Sequence, residues 1–167
     1  MLEGRAMRKT MVWIVDDDRE FLAELREALV LSGYDAEAFS DAAAAKRRLR
    51  ETLPDIVLFD LKMDGENGFQ LAHELKHLPR TERLPMIAMT WHYTSKEHAR
   101  LVERCGIDLC LVKPLNLADV TERIALLTGG GHRANSGHAK SGAGEWKLRS
   151  AGVHAKNIGA HIKRGTL

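Results

Sequence analysis

The chain has 167 residues, 44% of them hydrophobic and 29% charged, a balance suited to one folded domain and too apolar for a chain that stays unfolded throughout. No apolar run approaches the ~20 residues of a membrane span, and no secretory leader is legible. With only Cys105 and Cys110 there is no disulfide framework, so a reducing, cytoplasmic setting is expected. Membrane, secreted mini-protein and fibrous classes are thereby excluded, and the formal net charge of +2 hides an acidic body (residues 1–127, −4) with a basic tail (residues 128–167, +6).

Met11-Val12-Trp13-Ile14-Val15 is an apolar run of strand length that stops at Asp16-Asp17-Asp18. Phe21, Leu22, Leu25, Ala28 and Leu29 then recur at helical spacing, and Ser32-Gly33 ends that helix. A short strand is expected from Asp35 to Phe39, followed by an alanine-rich helix capped by Ser40 or Asp41 and running through Leu49. Ile56-Val57-Leu58-Phe59 is a third apolar run and it too ends in an aspartate, Asp60. Phe69, Leu71, Ala72 and Leu75 mark a helix from Gly68 to His77, closed by Pro79.

Met86-Ile87-Ala88-Met89 is a fourth strand, ending at Thr90, and a helix is expected from about Ser95 to Arg104. A fifth strand, Leu109 to Val112, ends at Lys113-Pro114. Asn116 can cap the last helix, whose buried stripe is Leu117, Val120, Ile124 and Leu127. Five strands, each followed by a helix and most of them nearly continuously apolar, imply an α/β fold with a parallel sheet covered on both faces. The expected division is an extension at residues 1–8, a folded domain at 9–128, and a basic Gly/His/Lys-rich tail at 129–167 that reads as disordered apart from a marginal helix near Trp146 to Val153.

In such sheets ligands bind at the carboxyl ends of the strands. Here those ends carry Asp16, Asp17, Asp60, Thr90 and Lys113. Two carboxylates about 5 Å apart repel by roughly 3 kcal/mol at an effective dielectric of 20, so the cluster needs a proton, a cation or a buried lysine. Mg²⁺ suits an all-oxygen donor set. Lys113 offers a compact positive charge for a carboxylate or a phosphate oxygen, and Thr90 a hydroxyl donor. An aspartate in this setting can act as a nucleophile on phosphorus and become an aspartyl-phosphate.

These positions resemble the receiver domain of two-component response regulators, over about Lys9 to Thr128. Ile14-Val15-Asp16-Asp17-Asp18 is similar to the acidic motif of the first strand, and Asp60-Leu61-Lys62-Met63 with Gly68 to the phosphoacceptor motif. Thr90 and Lys113-Pro114 match the remaining two positions. The resemblance implies a (βα)5 flavodoxin-like sheet of strand order 2-1-3-4-5 and a cis bond before Pro114. It implies phosphoryl transfer to Asp60 from a histidine kinase or histidine phosphotransfer protein. It also implies Mg²⁺ held by Asp17, Asp60 and the backbone carbonyl of Lys62, with Asp16 acting through water.

Three residues depart from the family pattern. Asp64 stands where proline is usual, Trp91 where a small residue is usual, and Cys110 where an aromatic ring normally reports phosphorylation. Taken singly, each residue also has an ordinary reading. Asp16-Asp17-Asp18 alone is a loop or helix cap, Lys113 a salt-bridge partner, Asp64 a loop residue, and Thr90 uninformative. Cys105 and Cys110 read as small packing residues, and His132, His138, His154 and His161 as solvated. Lys46, Arg47, Arg48 and Arg50 read as a wet helix face.

The leading expectation is a stand-alone receiver that switches affinity for a downstream protein partner of unknown identity or relays phosphate, not an enzyme in the usual sense. Lys62 and His92, two residues beyond Asp60 and Thr90, flank the expected phosphate position. A phosphorylation-independent interaction module is the second reading, motivated by Trp91 and Cys110. A DNA-associated regulator using the basic tail is the third; the tail shows no helix-turn-helix pattern, so nucleic acid is not an expected partner, nor is membrane insertion. A haloacid-dehalogenase-like phosphatase ranks last, because Asp60 is followed by Leu61-Lys62-Met63 in place of a second aspartate.

Overall fold

The computed structural model describes residues 8–91 and 96–129, with the backbone alone for residues 96–99. In chain order the elements are β1 (Met11–Val15), α1 (Arg19–Leu31), β2 (Asp35–Phe39), α2 (Ala42–Arg48), β3 (Ile56–Asp60), α3 (Gly68–His77), β4 (Met86–Thr90), α4 (Lys96–Arg104), β5 (Leu109–Val112) and α5 (Leu117–Leu127). All pairings are parallel and the order is β2-β1-β3-β4-β5. This is the flavodoxin-like doubly wound arrangement expected from the sequence.

Period-2 alternation along each strand divides the core into two layers. Val12, Ile14, Ile56, Leu58, Ile87 and Met89 face α1 and α5, packing with Leu25, Leu29, Val120 and Ile124. Trp13, Val15, Val57, Phe59, Met86 and Ala88 face the other way, against Ala45 of α2 and Leu71, Ala72 and Leu75 of α3. Strands buried on both sides have no polar alternation, which is why they read as unbroken apolar runs.

Local chemistry sets the helix ends. Asp18 caps α1 by accepting from the N–H groups of Glu20 and Phe21, both at 3.0 Å. Of the two candidates for α2, Asp41 is the cap, accepting from Ala44 at 2.7 Å, and the helix stops at Arg48, one residue earlier than expected. Asn67, which the sequence reading passed over, opens α3 with a reciprocal capping box to Gln70. Leu78 is extended, as a residue before proline is driven to be. At the amino ends of the strands, Asp55 Oδ2 accepts from the Met11 N–H at 2.7 Å and Asp108 Oδ2 from the Met86 N–H at 2.8 Å.

Gly68 is needed for space. A Cβ there would sit 2.3 Å from the Asp60 carbonyl oxygen, 2.9 Å from Leu61 Cα and 2.9 Å from the Phe59 ring. Two of these contacts are backbone and cannot rotate away. Gly68→Ala is expected to destabilise by about 2 kcal/mol through overpacking, outweighing the ~1 kcal/mol by which alanine favours a helix. Urea unfolding measures the difference, and an equal or raised midpoint would refute the packing argument.

Among the described residues no helix is long and apolar enough to cross a membrane. The N-terminal extension before Arg8, His92, Ser95, the tail histidines and the helix expected near Trp146 lie outside the described residues.

Candidate functional site

The parallel register brings the ends of β1 and β3 side by side. Val15 pairs with Phe59, so Asp16 and Asp60 emerge as neighbours. One oxygen from each of Asp16, Asp17 and Asp60 lies within 4.8 Å of the others. Asp16 and Asp60 are buried, at 1% and 4% exposure, while Asp17 is exposed. The acidic triplet therefore splits by position: Asp18 is the ordinary helix cap, and Asp16 and Asp17 join Asp60.

β5 delivers the counter-charge. Val112 pairs with Thr90 in register, and the Lys113 N–H donates to the Thr90 carbonyl at 2.7 Å. The buried Lys113 ammonium then reaches Asp16 Oδ2 at 2.6 Å and lies 3.5 Å from Asp60 Oδ1. At the longer distance it is an ion-pair partner rather than a hydrogen-bond donor, and Asp60 Oδ1 is buried with no hydrogen bond. Phe21 supports the ammonium from α1, its ring centre 4.2 Å from Nζ. Sequence reasoning placed Phe21 only on the buried face of α1, and nothing in the chain pattern pairs it with Lys113. Trp91 is half-buried with its ring centre 5.8 Å from the same ammonium.

Electrostatics follow from this burial. Desolvation pushes the Asp60 carboxyl up to about 6; Lys113 opposes the rise and Asp16 adds to it. Asp16 is raised for the same first reason, against the pull of Lys113. One lysine incompletely compensates three carboxylates, and the orphaned Asp60 oxygen is the acceptor left over. An all-oxygen cluster with an unpartnered buried oxygen fits a hard divalent cation such as Mg²⁺, with Asp16, Asp17 and Asp60 as the residues able to hold it.

The other expected positions fall around this centre. Thr90 is buried at the end of β4, and Lys62 is exposed in the segment after β3. The Lys113–Pro114 bond is cis. Asp64, which stands where proline is usual in the family, lies exposed in the loop after β3, and its main-chain N–H donates to Asp17 Oδ2 at 2.9 Å. Cys110 and Cys105 are partly buried against the α3-side core. Burial raises both thiols, Cys110 to about 11, so they are packing residues at neutral pH. The face expected to be wet is partly ion-paired instead. Lys46 bonds Glu66 and Glu74 at 2.7 and 2.9 Å, and Arg48 pairs with Glu37 at 3.0 Å. A cleft of about 390 Å³ lined by Arg8, Thr10, Asp55, Pro85, Leu127 and Thr128 contains none of these site residues.

Comparison with known proteins agrees with the geometry. A solved response regulator receiver domain protein from Methanospirillum hungatei superimposes with a TM-score of 0.68 at 25% identity, covering 74% of this chain and 97% of that one. The phosphate regulon transcriptional regulatory protein PhoB of Rhizobium meliloti is 31% identical over 66% of this chain and 48% of its own length. The transcriptional regulatory protein PrrA of Mycobacterium leprae is 30% identical over 90% of this chain and 64% of its own length. The chain thus spans between about half and two thirds of these curated relatives. The response regulator receiver domain profile matches residues 12–125, and with the strand order and the gathered acids this places the chain in the receiver domain family of two-component response regulators.

Proposed function

We infer that this receiver accepts a phosphoryl group on Asp60 and, once phosphorylated, changes its affinity for a protein partner or passes the group to a histidine. The single observation that carries this reading is the Asp60 carboxylate itself: buried, missing a hydrogen bond at Oδ1, and 3.5 Å from a buried lysine. Receiver domains generally work as phosphoacceptor switches served by histidine kinases or phosphotransfer proteins, and generally bind Mg²⁺ at an acidic pocket.

In the proposed step an ionised Asp60 oxygen forms a bond to phosphorus as the bond from phosphorus to the donor histidine nitrogen breaks, and that nitrogen keeps the electron pair. A bound Mg²⁺ would neutralise charge on the carboxylates and on the phosphoryl oxygens. Lys113, already within reach of Asp60, supplies a second positive charge for the incoming group, which adds about −2. The Thr90 hydroxyl sits at the neighbouring strand end as a donor to a phosphoryl oxygen. Asp17, Asp60 and the Lys62 backbone carbonyl would hold the cation, with Asp16 acting through water, as the family pattern implies.

Intact mass after incubation with Mg²⁺ and acetyl phosphate tests the proposal. One phosphoryl adduct is expected on the wild type, and none on Asp60→Asn or without Mg²⁺. A well-folded wild type that takes no adduct, even with candidate kinases supplied, would favour the phosphorylation-independent module. The named relatives are transcriptional regulators, which favours the third reading, a DNA-directed output. It predicts salt-dependent DNA binding that disappears when residues 129–167 are removed.

A further inference from the structure

Residues 61–67 lead from β3 to α3 past the acidic cluster, and the fold holds this segment from several sides. Leu61 and Met63 are buried in the core beneath α2 and α3. Lys46 of α2 bonds Glu66 at 2.7 Å, and the Asn67 capping box fixes the entry to α3. Between these anchors the chain turns at Gly65 with φ of +90°, a conformation glycine adopts without steric cost. The segment presents the Asp64 N–H to Asp17 Oδ2 at 2.9 Å, across 47 residues of sequence.

Asp17 is the exposed member of the acidic cluster. An exposed carboxylate is free to swing into water, and fixing its rotamer when a cation arrives costs entropy. A donor held by an anchored backbone removes that freedom beforehand, and it occupies one oxygen while leaving the other for the cation. Partners of this kind orient metal ligands and affect affinity although they never touch the metal. We propose that the Asp64 main-chain N–H is a positioning group that holds Asp17 ready as a cation ligand, so that residue 64 helps set the cation affinity of this receiver. The inference deepens the reading above and rests on it for the cation. Its requirement is an N–H at position 64, which the proline usual at this position in the family does not have.

Mn²⁺ is a suitable probe, because its free aquo ion is counted directly by electron paramagnetic resonance. The 167-residue wild type is compared with Asp64→Ala, Asp64→Pro and Asp17→Ala. Asp64→Ala keeps the N–H and loses only an exposed charge, so its Kd should stay within about threefold of wild type. Asp64→Pro loses the N–H and should bind on the order of tenfold more weakly than Asp64→Ala, and Asp17→Ala at least as weakly. Equal affinities for the alanine and proline variants at position 64 would overturn the positioning role while leaving the cation reading intact. No saturable binding by the wild type would overturn both.

Proline can also displace the loop, so a second measurement leaves position 64 unchanged. The Asp64 amide should exchange slowly with solvent in the wild type. In Asp17→Ala it should exchange on the order of tenfold faster, the scale of a lost bond to a charged acceptor, with Leu61 and Gly68 unaffected. An Asp64 amide that exchanges equally fast in both proteins would overturn the proposal.

Discussion

Lys113→Met is expected to destabilise the protein by about 3–5 kcal/mol at pH 7, the cost of leaving buried charges without their partner. The side chain volume is nearly conserved and the contact with the Phe21 ring survives as a sulfur–aromatic one, so the loss reports charge rather than packing. Asp16 would lose its 2.6 Å donor and Asp60 its nearest cation. Both carboxyls are already raised by burial, with Lys113 the group that opposes the rise; without it both rise further. The penalty should therefore shrink as pH falls and the acids take up protons. Paired urea titrations at pH 7 and pH 4.5 read the effect directly. A pH-independent difference would mean that Lys113 acts through shape, and the electrostatic account of the site would fail.

Asp60→Asn should act in the opposite direction and raise the stability of the metal-free protein. Asp60 titrates near 6 in the fold against 3.8 as an ordinary carboxyl, so between those values the native state holds more protons than the unfolded chain. Stability from this group is then lost as pH rises from about 4 to about 6, and the full penalty stands above that window. Two pKa units correspond to ~3 kcal/mol, of which an amide facing Lys113 without a good partner gives back a part. A net gain of about 1–2 kcal/mol at pH 7 is expected, fading below pH 4. Mg²⁺ should reverse the ranking by stabilising the wild type in proportion to its binding. Thermal melts with and without Mg²⁺ test both statements, and a variant less stable than metal-free wild type at pH 7 would contradict them.

The sheet was legible because strands covered on both faces write themselves as apolar runs with abrupt polar ends. Met11–Val15, Ile56–Asp60 and Met86–Thr90 fall where their runs place them, while the edge strand Asp35–Phe39 shows instead the polar alternation of a half-covered strand. The polar residues that end the strands converge because parallel strands all deliver their carboxyl ends to one rim. Helix starts were less certain, since Ser40 and Asp41 offer the same chemistry and only the backbone angle chooses between them. Asn67 was legible as well, since Asn67-Gly68-Phe69-Gln70 has the spacing of a capping box ahead of an apolar run, but Gly68 drew the expected helix start one residue past it.

The electrostatic pairing could not be read from the chain. Lys113 can face either carboxylate by residue type, and only the folded geometry sets it at 2.6 Å from Asp16 and 3.5 Å from Asp60. Nor could the Asp64 contact be anticipated, because it is made by a main-chain group that every residue except proline possesses. Side-chain identity announced the chemistry of the acids, while the backbone decided which of them is restrained.

The pair of carboxylates at the far rim, Asp55 on the Met11 amide and Asp108 on the Met86 amide, bears on how the chain avoids folding wrongly. Apolar strands such as β1 and β3 are tolerant of sliding, since a slip of two residues returns the same faces to the same layers. Such a slip would carry Asp60 about 7 Å along the strand, at roughly 3.3 Å per residue, and the cluster of Asp16, Asp17 and Asp60 would come apart. Each far-rim bond is lost at the first step of sliding, and a charged acceptor makes that loss expensive. Asp55 and Asp108 thus discriminate between alignments that the hydrophobic core alone would accept almost equally, at a distance of a whole strand from the chemistry they protect.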